Sequence, residues 1–127
     1  MRVLIGCLAV GFGGFLGALC RWGVAAVSVR FFGNAFPAGT LLINLTGSFA
    51  LGWFMARIAR GAAVAEPTQL AVAVGFLGAY TTFSTFMYES DVLLRSGAAG
   101  RAVLNLVGSV ALGLLAVRLG VALGQRV

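Results

Sequence analysis

The sequence predicts an all-α membrane protein of four transmembrane helices, the third of them broken in mid-membrane. Three observations lead there. Hydrophobic residues make up 61% of the 127 and charged residues only 9%, too few charges to cover the surface of a water-soluble domain of this length. The charges and turn-forming residues fall between four apolar runs, each close to the roughly 20 residues that carry a helix across a bilayer. Within the third run a polar segment, GAYTTFSTF (residues 78–86), interrupts the hydrophobic pattern.

The first span is read over about residues 3–29. Residues 3–20 carry no charge, and the apolar pattern resumes after Arg21. Its opening, MRVLIGCLAV, resembles a signal or lipoprotein leader. A leader needs an apolar core of about 7–15 residues ahead of the cut, and only residues 3–6 stand before Cys7, so this helix is expected to be retained. The segment RFFGNAFPAG (residues 30–39) reads as a loop from its Gly, Asn and Pro. The second span covers about 40–56, a second loop 57–67, the third span about 68–94, a short turn 95–101 and the fourth span about 102–124. The whole chain, 1–127, is thus one four-helix transmembrane domain, with nothing left over for a soluble one.

Composition excludes several functions. The formal net charge is +6, but all nine basic residues are arginines scattered singly near span ends. Nucleic-acid binding needs them clustered on one face. There is no histidine, and Glu66, Glu89 and Asp91 are the only acids, so an enzyme is not expected. Cys7 and Cys20 lie thirteen residues apart on one helix, about 20 Å at the helical rise. They cannot form a disulfide and are read as packing residues.

Four spans put both termini on one side of the membrane. That side collects Arg2, Arg57, Arg60 and Arg126, with Arg118 if its long stem reaches the interface; the other side collects Arg30, Arg95 and Arg101. Positive charge orients membrane proteins, and this bias is weak. A chain that inserts either way up permits an antiparallel, dual-topology homodimer with its twofold axis in the membrane plane. Pairing is expected, because four helices this short barely enclose a polar path alone. Gly13 with Gly17, and Gly120 with Gly124, have the four-residue spacing that brings helices close.

Polar side chains in hydrocarbon need a partner or a water-lined cavity. Thr40, Asn44 and Ser48 recur every four residues along the second span, and Asn105 and Ser109 do so on the fourth, with Gly113 completing the line. The third span holds Thr81, Thr82, Ser84 and Thr85, and its Phe83 and Phe86 share a helix face. Such groups serve either as glue between helices or as the lining of a shared path. Gly75 and Gly78 followed by β-branched threonines make a poor continuous helix. A break there frees backbone carbonyls that suit a small hard cation, and creates a helix N-terminus whose amides suit an anion. With no carboxylate in the middle of a span, the path suits an anion better than a cation. Phe83 and Phe86 serve either as ordinary core packing or, through their partly positive rims, as weak, escapable binding of the kind conduction needs.

The motifs GFLGAYTTFSTF and GTLLINLTGSF, with GALCRW in the first helix, resemble the Fluc (CrcB) family of bacterial fluoride channels over the whole chain. The resemblance implies an antiparallel homodimer in the bacterial inner membrane that lets cytoplasmic fluoride leave passively through two pathways. It implies that Phe83 and Phe86 flank the ion with ring edges, that Asn44 is a pore-facing amide donor and that Ser84 and Thr85 supply hydroxyls. It also implies a structural sodium ion, not transported, at the dimer interface. The break at residues 78–81 would hold it on the backbone carbonyls of Gly78 and Thr81 from each subunit. Thr40 matches a vestibule hydroxyl, and Asn105 with Ser109 matches a polar track on the fourth helix, which Gly113 ends without a donor. Arg21 matches a first-helix arginine, either a vestibule charge that attracts anions or a structural partner for a carbonyl or Glu89. The rival reading is a small dual-topology multidrug-type cation antiporter, which calls for a carboxylate in the first helix; none is there.

Overall fold

The computed structural model describes residues 1–126, and none of them lies in a strand. Helix α1 runs Arg2–Phe32 and α2 Ala38–Ala59. The third span is composite, with α3 over residues 66–80 and α4 over Phe83–Arg95; α5 runs Ala99–Gly124. Arg2–Phe32, Ala38–Ala59, Glu66–Arg95 and Ala99–Gly124 are each long and apolar enough to cross a membrane.

Most helix ends lie one to three residues beyond the limits read from sequence. The extensions carry charge: Arg30, Arg57 and Arg95 sit in last turns, where a cation faces the negative end of the helix dipole. Gly33 closes α1 with φ 68°, a left-handed conformation that glycine adopts without strain. Pro37 precedes α2, and Pro67 stands in the first turn of α3, where its missing N–H costs nothing. The alternation of directions puts both termini and the 60–65 loop at one end and the two shorter turns at the other. Arginines tie loops at each end. Arg60 Nη1 donates to the Gln125 carbonyl at 2.6 Å, and Arg101 Nη1 to that of Ala35 at 3.2 Å.

The helices pack as two pairs, α1 along α3 and α2 along α5, with α4 laid against α5 and α2. Glycine makes both pairings possible. A methyl at Gly13 would overlap the Ala71 carbonyl oxygen, and one at Gly17 that of Phe76. Methyls at Gly120 and Gly124 would overlap the carbonyls of Phe49 and Trp53. Both small-residue spacings therefore serve packing within the chain. Gly17→Ala is expected to lower the stability of the purified protein by about 1–3 kcal/mol, read as an earlier thermal unfolding transition in detergent. Gly11→Ala, whose methyl meets open space, should leave that transition in place. Cys7 and Cys20 are exposed, not packed as expected, because the buried face of α1 is the one carrying Gly13, Gly17 and Ser28. The outer surface is apolar, with Phe12, Phe15, Trp22, Val110 and Leu114 all exposed, as suits a lipid solvent.

Within α3, an α-helical turn, Glu66–Gln69, gives way to a π-helix over Leu70–Leu77 and then to one more α-turn, Gly78–Tyr80. The chain then opens: Thr81 (φ −76°, ψ 157°) and Thr82 (φ −149°, ψ 117°) are extended. The break lies later than the glycine-centred position read from sequence, since Gly78 stays helical. The threonines make it. Thr81 Oγ1 donates back to the Leu77 carbonyl at 3.0 Å, while Thr82 caps the next helix.

Candidate functional site

Two unwound residues at membrane depth need partners for their amides and carbonyls. Asn44, in the second turn of α2, supplies them. Its Oδ1 accepts from the Thr82 amide at 2.9 Å and its Nδ2 donates to the Thr82 carbonyl at 3.1 Å. The carboxamide thus replaces a backbone neighbour on both sides of one residue. Thr82 is buried, and its hydroxyl oxygen accepts from the Thr85 amide at 3.3 Å, an N-cap for α4. That hydroxyl donates in turn to Thr85 Oγ1 at 3.0 Å. The segment crosses α2 at Gly47, where a side chain would strike the Thr81 methyl.

This bonding leaves the carbonyls of Gly78 and Thr81 among those without their helical partners. The amide that would close a turn onto Gly78 is that of Thr82, and it goes to Asn44; the amide that would close onto Thr81 is that of Thr85, and it goes to Thr82 Oγ1. Both residues line a cleft of about 280 Å³ together with Asn44, Ser48, Thr82 and Phe83. Six residues singled out in the sequence, Asn44, Ser48, Gly78, Thr81, Thr82 and Phe83, therefore meet in one place.

The other predicted residues divide differently. Phe83 is 73% exposed and Phe86 only 5%, so within one chain they do not both flank an open path. Their rings meet edge to face, with centroids 6.1 Å apart and an interplanar angle of 61°. Phe86 is buried because it shares the inward face of α4 with Ser90 and Leu93. Ser84 and Thr85 are exposed beside Phe83, although the Thr85 hydroxyl is engaged by the cap. Asn105 is buried, at 1% exposure. Its Nδ2 donates to Ser90 Oγ at 2.9 Å, and Ser90 Oγ donates to the Phe86 carbonyl at 2.7 Å. Ser109 Oγ donates to Asn105 Oδ1 at 3.3 Å. This chain of bonds ties α5 to α4 at the backbone of Phe86. Asn105 thus works as a link between helices, whereas half-buried Ser109 stands at the partly open end of the chain.

Thr40 leaves the line it forms with Asn44 and Ser48. It lines a second cleft of about 250 Å³ with Ser28, Asn34, Tyr88 and Glu89. Glu89 Oε2 is buried without a hydrogen-bond partner. In sequence this acid reads as a span-end charge, and the signal that could have found it was its place at the close of a charge-free run. Arg21 is half-buried on α1. Among the described residues the ion pair is Arg95–Asp91, at 2.6 Å, so Arg21 is not paired with Glu89. The described residues hold no cluster of three His, Cys, Asp or Glu.

A span opened in mid-membrane beside a cleft of uncharged donors has a physical use only where it faces protein or passing solute. Fold and cleft together define a multi-pass membrane protein of the transport class. Within that class the chain belongs to the CrcB-like family (CrcB-like protein, Camphor Resistance), whose model matches residues 8–121. It is 43% identical over 118 residues to a fluoride-specific ion channel FluC of Chloroflexus aurantiacus, covering 93% of this chain and 94% of that one. It is 43% identical over 120 residues to the fluoride-specific ion channel FluC of Acidobacterium capsulatum (94% and 96% covered). With the protein of that name from Campylobacter lari it shares 45% over 113 residues (89% and 92% covered).

Proposed function

We propose that this chain is a passive, fluoride-selective ion channel that lets fluoride leave the cytoplasm through the bacterial inner membrane. The observation that carries the reading is the opened third span, with the donors of Asn44 and Ser48 and the ring of Phe83 around one cleft. It sits in a chain whose near full-length relatives are named fluoride-specific ion channels. Fluoride is small and strongly hydrated. Uncharged donors and aromatic edges can stand in for part of its water shell without holding it as tightly as a fixed cation would. Asn44 keeps one Nδ2 hydrogen beyond its bond to Thr82, and Ser84 and Thr85 add hydroxyls along the path.

The working unit is an antiparallel homodimer with two pathways. A single chain is a poor enclosure: only 6% of the apolar core of α5 is buried within it, and Phe83, Ser84 and Thr85 look outward. A second copy would cover them and place its own face opposite Phe83. Of the released carbonyls, those of Gly78 and Thr81 belong to residues that line the cleft, and they are hard oxygen donors of the type that sodium takes. Two from each subunit would hold one structural sodium ion at the interface, supplying positive charge that ties the two breaks together. Thr40 and Arg21 belong to the approach to the path.

Liposomes loaded with potassium fluoride and holding the purified protein test this. Fluoride should leave rapidly once a potassium ionophore balances charge, while chloride is retained. Chloride efflux at a similar rate would defeat the selectivity, and a proton-coupled cation flux would favour an antiporter.

A further inference from the structure

We infer that Tyr80 is a positioning residue for conduction, acting through Thr46 as a second clamp on the opened segment. Tyr80 is the last helical residue before the break. Its hydroxyl oxygen lies 2.9 Å from Thr46 Oγ1 on α2. The direction of that bond follows from what else Thr46 does. Its one hydroxyl hydrogen is committed to the Leu42 carbonyl at 2.7 Å, with that of Ile43 at 3.2 Å, so Tyr80 donates and Thr46 accepts. The ring of Tyr80 stacks on Phe76 at 6.0 Å with 10° between planes, and the Phe76 carbonyl is where α1 presses in at Gly17. One residue therefore couples the α1–α3 pair to α2.

The placement matters because α2 grips the chain on both sides of Thr81. Asn44 holds Thr82 after it, and Thr46 holds Tyr80 before it. Between the two grips Thr81 rests over Gly47. With Asn44 alone, the turn Gly78–Tyr80 could swivel about the extended residues and carry the Gly78 and Thr81 carbonyls out of the cleft they line. Tyr80 and Thr46 touch no ion on this reading. They set the direction of the groups that do, and the inference rests on the channel reading above.

The test uses the full-length reconstituted protein and four variants: Tyr80→Phe, Thr46→Val, Thr46→Ser and the double variant Tyr80→Phe/Thr46→Val. Two readouts are taken, fluoride efflux and amide hydrogen exchange over residues 78–86. An interhelical hydrogen bond in a membrane protein is worth a modest factor. Tyr80→Phe and Thr46→Val should each slow efflux by roughly fivefold and speed exchange. The double variant should be no worse than either single one, and Thr46→Ser, which keeps the acceptor, should behave as the parent. Unchanged efflux in the single variants, losses that multiply in the double, or a Thr46→Ser variant as impaired as Thr46→Val would each overturn the clamp. If the parent passes no fluoride, the channel reading fails, and the exchange comparison still decides whether the clamp exists.

Discussion

Asn44→Ala is expected to reduce fluoride efflux at least about tenfold and to loosen the third span at once. The substitution removes an acceptor from the Thr82 amide and a donor from its carbonyl, leaving two backbone groups unpaired in a low-dielectric setting. Each such group costs about 1–3 kcal/mol, and about 1.4 kcal/mol is a factor of ten in a population. The loss therefore has two sources, a missing donor along the path and a break that no longer holds its shape. Asn44→Asp separates them. It keeps an acceptor for the Thr82 amide but sets an oxygen against the Thr82 carbonyl and adds a negative charge. Asn44→Asp should block efflux while exchange at Thr82 stays slower than in Asn44→Ala. Efflux near the parent rate in Asn44→Ala would remove Asn44 from both roles.

The second large effect is an asymmetry between the two phenylalanines. Phe83→Ile keeps an apolar side chain of similar bulk, removes the ring edge, and acts at an exposed position. It should cut efflux steeply with little change in the thermal unfolding of the protein. Phe86→Ile acts on a buried ring packed edge to face against Phe83. It forfeits aromatic contact worth about 0.5–1.5 kcal/mol and reshapes a packed interior, so efflux and unfolding temperature should fall together. Equal stability losses in both variants would show that Phe83 is packing and not path. Unchanged efflux in both would return the pair to ordinary core.

Much of this was readable before any coordinates. Four spans, their order and the helical pairing by Gly13, Gly17, Gly120 and Gly124 follow from where charges, breakers and small residues fall. An interruption in residues 78–86 follows from threonines in place of apolar residues. The polar line on the second span is legible as spacing, but not which cleft each of its members faces. Thr40 turns to Glu89, while Asn44 and Ser48 line the cleft beside the break. A period of four says which residues share a helix face, and not which neighbour that face meets at each turn. The π-helical winding of Leu70–Leu77 left no mark in an ordinary apolar run, since it depends on how α3 seats against the glycines of α1.

By itself, the sequence determined that this chain lives in a bilayer as four helices and that its third span cannot stay regular. Those properties rest on apolar length, charge placement and local backbone chemistry, all of which are local. Only the tertiary structure decided that the chain opens at Thr81 and Thr82, that Asn44 spends most of its amide holding Thr82, and that Phe86 is interior while Phe83 is not. A hydrogen bond across 38 positions is a choice of partner. Partners are set by which helices pack together and how each is turned about its axis, which no single stretch of sequence contains.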